Sequence, residues 1–383
     1  MREMKDSGIE WIGAIPTTWH TQKMKYISNF IQNKYSSDYG LLPYIGLENI
    51  ASWSGSFIST NSQYDREQSL ICEPEDILFG KLRPYLAKVY MNDRLCCCSN
   101  EFAVIRVNGQ NKRYMWYQLL SHGFIFEIDR STYGTKMPRA NAEFIRNVFV
   151  ALPSEIEQQK IANYLDKMCA EIDAVLEKTR ASIEEYKKLK QAVITQAVTK
   201  GIFDKQIYPH NVKLKYLLYI ASGDAIRNEE LSEVGKYPAY GGGESLGFAS
   251  KYNTLENSLI VGRVGARCGC VTYIDSKAWA TDNALIVHPI CNPRYMYYML
   301  IYSQLNNLNT SNAQPLITAT KIENVVVPYF LEDICQRKIV DFLDEKCACI
   351  DAIIEKKQQY LTEIENYKKS LIYEYVTGKK EVV

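Results

Sequence analysis

The chain has 383 residues, of which 46% are hydrophobic and 23% are charged, values normal for a soluble globular protein with room for two domains. The formal net charge is only +1, so any contact with nucleic acid has to come from local patches or from a basic partner. No apolar run reaches the roughly 18 residues of a membrane span, and the amino terminus lacks a signal-peptide core, so we expect a cytoplasmic protein without membrane contact. The cysteines and histidines lack zinc-site spacing, so we expect no bound metal.

The first predicted element is a domain over residues 1–152. It is rich in β-branched and aromatic residues separated by Gly and Asn turns, which predicts mainly strands with short helices. Two segments, GKLRPYLAK and STYGTKMPRAN, place basic, amide and aromatic side chains on loops, where such groups hydrogen-bond base edges or neutralise phosphates. Ordinary surface charge is the alternative interpretation. The candidate DNA contacts in this domain are Lys81, Arg83, Tyr85, Tyr133, Lys136, Arg139 and Asn141.

A long helix is predicted over residues 153–201. Ser154 is a suitable N-cap with Glu157 three residues later, and Gly201 is a common type of helix stop. Apolar residues recur at three and four spacing, which is typical of a coiled-coil seam. The predicted seam includes Ile161, Leu165, Ile172 and also Val175.

The second globular domain is predicted over residues 202–327. Its segment VGRVGARCG places two arginines between glycines, which let a backbone approach a ligand closely. A second segment, TSNAQPLITATK, corresponds in position to the basic STYGTKMPRAN segment of the first domain. The candidate DNA contacts here are Arg263, Arg267, Asn312, Gln314, Thr318 and Lys321.

A second long helix is predicted over residues 328–383, with Asp333 as its N-cap and a stop at Thr377–Gly378. Its seam includes Ile339, Leu343 and Ile350. The phrase FLDEKCACIDAIIEK in this helix nearly repeats YLDKMCAEIDAVLEK of the first helix. The repeat extends into the domains, because SNEFAVI corresponds to TDNALIV and FGK to VGR.

This order of domain, helix, domain, helix predicts an α+β fold built as a pseudo-two-fold tandem repeat. Because the second domain follows the first helix almost at once, the two helices pair without a long connection only if they run antiparallel. We therefore predict an antiparallel coiled coil with one mainly-β domain at each end. Two such domains suit a split, asymmetric DNA site with an unread spacer between its halves.

Catalytic motifs are missing from the sequence. NPRY at Asn292 lacks the second proline of an amino-methyltransferase loop, and YGGGESLG is better explained as a β-turn than as a cofactor loop. We therefore predict no catalytic residue and no cofactor bound by this chain. A self-contained DNA methyltransferase or nuclease, and a coiled-coil scaffold without a DNA role, remain the alternatives.

The chain resembles the specificity (S) subunit of type I restriction-modification enzymes. The resemblance rests on GIEWIGAIPTTW, YIGLENIASWSG, DILFGKLRPYLAKVY, STYGTKMPRANAEFI and LPSEIEQQKIANYLD in the first half, and on YPAYGGGESLGFASKYN, VGRVGARCGCVTYI and TDNALIVHP in the second. It departs from the family pattern where the second half begins YPHNVKLKYL without a WIG…IP..W opening, so we expect its first strand to pack differently.

The resemblance implies two target-recognition domains, at 1–152 and 202–327, separated by spacer helices at 153–201 and 328–383. Each domain would read one half of a bipartite site in double-stranded DNA. The implied partners are two modification subunits, which bind S-adenosylmethionine and methylate adenine, and restriction subunits, which use ATP and magnesium to translocate and cleave DNA.

Overall fold

The computed structural model describes residues 2–60, 68–134, 136–203, 207–309 and 315–382. The chain divides into two compact units, described separately below. The first unit comprises Met1–Thr179 and Gln359–Val383, and the second comprises Arg180–Gln358. Each unit therefore contains one globular part together with a section of each long helix.

Among its described residues, the globular part of the first unit combines short strands with four short helices, and a long helix follows them. The strands are β1 (Met4–Asp6), β2 (Ala14–Pro16), β3 (His20–Lys23), β4 (Ser28–Ile31), β5 (Tyr44–Ile45), β6 (Leu70–Cys72), β7 (Ile77–Gly80), β8 (Val89–Met91), β9 (Cys96–Cys98), β10 (Phe102–Val107) and β11 (Phe149–Leu152). The helices are α1 (Met24–Ile27), α2 (Lys112–Leu120), α3 (His122–Arg130), α4 (Ala142–Asn147) and α5 (Glu155–Lys200).

The second unit has the same kind of composition and leads into the long helix α8. The strands are β12 (His210–Lys213), β13 (Leu218–Ser222), β14 (Leu231–Ser232), β15 (Tyr237–Gly241), β16 (Glu244–Ala249), β17 (Ser258–Gly262), β18 (Val271–Ile274), β19 (Trp279–Ala280), β20 (Ala284–Pro289) and β21 (Val326–Tyr329). The helices are α6 (Pro293–Tyr302), α7 (Ala319–Glu323) and α8 (Asp333–Val376).

A four-stranded antiparallel sheet lies at the centre of each unit. Its order is β4-β10-β7-β8 in the first unit and β13-β20-β17-β18 in the second. In the first unit Phe79 pairs with Ala103 and Val89. In the second unit Val261 pairs with Leu285 and Val271, and every one of these positions lies 182 residues further along the chain. The α+β tandem repeat predicted from the sequence is therefore confirmed down to strand register.

The first strand of the second half does not pack differently, and this prediction was wrong. Strand β12 pairs with β21 in the register that β3 adopts with β11. The WIG…IP..W segment instead contains β2, which pairs with β1 in an antiparallel hairpin, and the described residues 207–209 that precede β12 form no strand. In the first unit this segment packs beside the end of α8, where the Tyr373 hydroxyl donates a hydrogen bond to the Trp11 carbonyl at 2.9 Å.

The long helices begin and end close to the predicted residues. Helix α5 starts after Ser154, whose Oγ accepts a hydrogen bond from the Glu157 N–H at 3.4 Å, and it stops before Gly201 at φ +72°. Helix α8 ends before Gly378 at φ +71° in the same way. Asp333 is already the first helical residue of α8, so its predicted N-cap role was wrong by one position.

The two long helices run antiparallel within each unit. In the first unit Lys368 Nζ lies 2.7 Å from Asp173 Oδ1, and the rings of Tyr164 and Tyr375 lie 4.6 Å apart. In the second unit Lys190 pairs with Asp351 at 2.6 Å. As the residue numbers of these contacts rise along α5, the numbers of their partners on α8 fall. Six of the seven predicted seam residues are buried, and they are Ile161, Leu165, Ile172, Ile339, Leu343 and Ile350.

Val175 does not belong to the seam. Its side chain is 41% exposed, whereas Leu176 beside it is 4% exposed and joins the core. The buried residues of a coiled-coil seam are spaced alternately three and four residues apart. We expected a step of three from Ile172 to Val175, but the buried residue lies four residues on, at Leu176.

Candidate nucleic-acid interface

Two loops of the first unit meet at the end of strand β7. The backbone N–H of Lys81 donates to the Glu101 carbonyl at 2.8 Å, which extends the β7–β10 ladder by one residue. The Lys81 carbonyl accepts from Ala140 at 2.9 Å, and the Arg83 N–H donates to the Pro138 carbonyl at 2.7 Å. The loop 81–88 is therefore tied by main-chain hydrogen bonds to the loop that precedes α4.

The loop 81–88 has an unusual backbone. Arg83 and Ala87 both lie in the left-handed region, at φ 50° and φ 46°, on either side of a 3-10 turn at Pro84–Leu86. This conformation costs about 1 kcal/mol or more for a residue other than glycine, and such strain clusters at functional sites. Pro84 restricts the turn further. The loop therefore presents its side chains on a constrained backbone.

The predicted side chains of the first unit come together around these loops. Arg83 and Lys136 are exposed, and so are the rings of Tyr85 and Tyr133. Tyr133 and Arg139 exchange backbone hydrogen bonds at 3.4 and 3.1 Å, which closes the second loop. These four exposed groups give the loop pair both cationic and aromatic character.

Two of the predicted residues also have structural partners. The Arg139 guanidinium forms an ion pair with Glu101. The Asn141 amide oxygen accepts from the Glu143 N–H at 2.8 Å and so caps α4. Only the polar atoms of Arg139 and Asn141 that are not used in these contacts would be available to bind a ligand.

Strand β17 of the second unit ends in the same framework. The Arg263 N–H donates to the Asn283 carbonyl at 3.0 Å, and the Arg263 carbonyl accepts from Ile317 at 2.9 Å. The Gly265 N–H donates to the Pro315 carbonyl at 3.2 Å. Gly265 and Gly269 take the left-handed positions that Arg83 and Ala87 take in the first unit, and glycine does so without strain.

The side chains on this second framework differ from those of the first. Arg263 lies half-buried with a guanidinium nitrogen 3.5 Å from Ser222 Oγ, and exposed Arg267 pairs with Glu244 at 3.1 Å. Thr318 is exposed at the start of α7, and Lys321 Nζ donates to the Leu308 carbonyl at 3.1 Å. Asn312 and Gln314 lie outside the described residues.

A repeated side-chain cluster fixes each globular part to a long helix. In the first unit Asp166 of α5 accepts hydrogen bonds from Arg113 Nε at 2.6 Å and from the Tyr117 hydroxyl at 2.7 Å. In the second unit Asp344 of α8 accepts from Arg294 Nε at 2.9 Å and from the Tyr298 hydroxyl at 2.5 Å. We call these the helix clamps. They hold the loop-bearing sheet and its supporting helix in place by charge-assisted bonds.

Sequence reasoning missed two residues beside Lys81. Gln32 follows β4 and Arg146 lies in α4, and both line a cavity that Lys81 also lines. Desolvation of half-buried Lys81 lowers its pKa, and nearby Glu101 partly opposes that effect. No local sequence pattern pointed to Gln32 or Arg146, because only the tertiary fold brings them to the cavity that Lys81 lines.

The described ranges show neither a metal-binding cluster nor a helix suited to a membrane. No group of three or more His, Cys, Asp or Glu side chains there has the arrangement of a metal site. No helix in the same ranges combines the length and the apolar composition that crossing a membrane requires.

Comparison with known proteins agrees with this arrangement. The sequence profile described as "Type I restriction modification DNA specificity domain" matches residues 16–185 and 210–365. The MjaVIII type I restriction enzyme specificity subunit of Methanocaldococcus jannaschii is 24% identical over 326 residues, which are 73% of each chain. A putative type I specificity subunit of Mycoplasma genitalium is 25% identical over 57% of this chain and 61% of its own length.

A solved structure shares the fold over nearly the whole chain. Its subject is complex assembly and conformational transition of a type I restriction-modification system, and it covers 96% of this chain and 99% of its own. The TM-score is 0.73 at 17% sequence identity. Since the family profile matches both halves of the tandem repeat and most of the residues, the chain belongs to the type I restriction-modification DNA specificity family.

Proposed function

We propose that this chain is the non-catalytic DNA-recognition subunit of a type I restriction-modification enzyme, and that each unit reads one half of a bipartite, asymmetric site in double-stranded DNA. Modification subunits that bind S-adenosylmethionine would then methylate adenine at the chosen site. Restriction subunits, using ATP and magnesium, would cleave unmodified DNA. The long helices would set the length of the unread spacer.

The observation that carries this proposal is the repeated loop framework. In both units the loop after β7 or β17 is held by equivalent main-chain hydrogen bonds, from Lys81 and Arg83 in one and from Arg263 and Gly265 in the other. The side chains on the two frameworks differ, whereas the frameworks do not. A constant framework with variable basic and polar groups is what two readers of two different short sequences require.

The methylation pattern of a host tests the proposal. The chain is expressed with its modification partner, and methylation-aware sequencing of the host genome identifies the modified adenines. We expect one motif made of two short, different halves and an unread gap. A continuous motif would contradict the proposal, and S-adenosylmethionine binding by the isolated chain would favour a self-contained methyltransferase.

The loops should control the halves independently. Replacing 136–141 is expected to change one half of the motif only, because this segment belongs to the first unit. Replacing 315–321 in the second unit should change only the other half. An unchanged motif in both variants would favour a scaffold without a DNA role.

The helices should control the spacer and not the halves. Inserting about four residues, close to one helical turn, in the middle of α5 is expected to lengthen the gap in the motif. Both half-sites should remain as they were. A changed half-site would show that the helix itself takes part in base reading.

A further inference from the structure

The first unit contains a partly enclosed cavity of about 290 Å³ between its sheet and helix α4. The apolar part of its lining includes Phe30, Phe102 and Val104, from strands β4 and β10. The polar part of the lining is formed by Gln32, Lys81, Glu143 and Arg146. The cavity adjoins the loop 81–88, because its lining includes Lys81, the first residue of that loop.

Two cations line this cavity, and among the described residues neither has a side-chain hydrogen-bond partner. Among the described residues, the Lys81 ammonium group has no hydrogen-bond or ion-pair partner, although the residue is half-buried. The Arg146 guanidinium lies 5.7 Å from the Phe30 ring centre, and its buried Nε has no hydrogen-bond partner within the same ranges. Lys81 is thus a half-buried cation without a partner, and Arg146 has only the 3.6 Å ion pair with Glu143, so the site favours an anion.

The nearby carboxylates do not cancel these charges. Glu143 lies 3.6 Å from Arg146 Nε and also accepts a hydrogen bond from Asn147 at 3.0 Å, with its side chain 65% exposed. Glu101, which also acts on Lys81, is already paired with Arg139. The lining therefore has two cations against one carboxylate, which leaves one positive charge in excess.

We propose that this cavity is a backbone-phosphate anchor, in which Lys81 and Arg146 hold one phosphodiester of the bound DNA while Gln32 hydrogen-bonds it. Lys81 is then a positioning contact without sequence preference, and the exposed Arg83 and Tyr85 on the same loop are left to face the bases. A phosphodiester carries one negative charge, which matches the excess. The inference rests on the proposed function and adds the division of labour between phosphate and base contacts.

The second unit does not repeat this charge pattern. By strand register, Arg263 corresponds to Lys81 and Ser222 corresponds to Gln32. A guanidinium nitrogen of Arg263 lies 3.5 Å from Ser222 Oγ. Glu323 takes the position of Arg146 in the corresponding short helix. The anchor is therefore a property of the first unit.

Salt-dependent binding tests the anchor without knowledge of the target. The full chain is titrated onto a duplex of arbitrary sequence by fluorescence anisotropy at several salt concentrations. In Lys81→Gln the slope of log affinity against log salt should become shallower by about 0.9, which is about an eightfold loss near 0.1 M salt. Lys81→Arg should keep the slope, and Glu143→Gln should bind more tightly than wild type.

Lys167→Gln, a change at an exposed lysine of α5 in the same unit, is the matched control and should leave affinity unchanged. Thermal unfolding of each variant separates lost binding from lost folding. A Lys81→Gln variant that keeps the wild-type slope, or that changes the methylated motif, would overturn the anchor while leaving the proposed function intact.

Two further results have distinct meanings. If inorganic phosphate alone binds the wild type by calorimetry while Lys81→Gln leaves DNA binding unchanged, the site is one for free phosphate and the DNA anchor is wrong. If the wild-type chain binds no duplex and directs no methylation, both the anchor and the proposed function fail.

Discussion

The two units solve the same structural problem with different side chains. In the first unit Asp76 directly precedes strand β7 of the central sheet, and its side chain, 1% exposed, pairs with Arg106 of β10 at 2.8 Å. At the corresponding positions of the second unit lie Ser258 and His288, with no ion pair between them. The strand register is the same in both. Backbone pairing therefore determines the framework, and the side chains on it are free to diverge.

The largest expected effect on stability is at the Asp76–Arg106 ion pair. Arg106→Ala should lower the free energy of unfolding of the first unit by about 3 kcal/mol, because it leaves a buried carboxylate without its cation. This is the lower end of the usual range, since the Arg106 side chain is 32% exposed. Denaturant unfolding followed by tryptophan fluorescence measures the loss, since four of the five tryptophans lie in this unit.

A matched double variant sharpens the same test. Asp76→Ser combined with Arg106→His copies the second unit at both positions and removes the buried charge together with its partner. It should recover more than half of the stability that Arg106→Ala loses. A double variant as unstable as Arg106→Ala would mean that the first unit depends on the ion pair itself, and that the two frameworks are not equivalent.

The helix clamps should behave alike in the two units. Asp166→Ala and Asp344→Ala each remove an acceptor for one arginine and one tyrosine, and we expect each to cost about 1–2 kcal/mol. The expected cost is modest because the aspartates are 42% and 40% exposed. Hydrogen exchange across each unit measures the effect locally. Costs that differ by more than about 1 kcal/mol would show that only one clamp is important.

The smallest expected effect is at Gln118, whose counterpart in the second unit is Met299. The Gln118 side chain donates to the carbonyls of Ala151 and Val376 at 2.7 and 2.8 Å, but its own buried Oε1 has no partner among the described residues. Gln118→Met loses these bonds and also the unsatisfied oxygen, so stability should change by less than about 1 kcal/mol. A loss above about 2 kcal/mol in thermal unfolding would contradict this balance.

The tandem repeat and the long helices could be predicted because their signals are local. Gly201 and Gly378 stop the helices as their sequence suggests, and Ile172 and Ile350 are buried at matching positions. The errors came where a choice of one residue depends on packing. Leu176, and not Val175, is the buried seam residue, because packing against the partner helix decides where the seam takes a step of four residues. Sequence spacing alone permits a step of either three or four after Ile172.

The candidate interface was predictable only in part, for the same reason. The loops with Arg83 and Arg263 could be found from glycine, proline and basic residues in short segments. Gln32 and Arg146 could not, because they join Lys81 only through the pairing of β4 with β10 and the seating of α4 on the sheet. Contacts between segments distant in sequence leave no mark on either segment alone.

The loops 81–88 and 263–270 have equal lengths, so the loop of one unit can be substituted for that of the other. Both loops leave a strand ending in glycine, and both return to a strand that begins with valine. Moving the glycine-containing loop of the second unit into the first would replace two strained left-handed positions by glycines. Such an exchange should therefore fold at least as well as the parent, while giving one unit the loop side chains of the other.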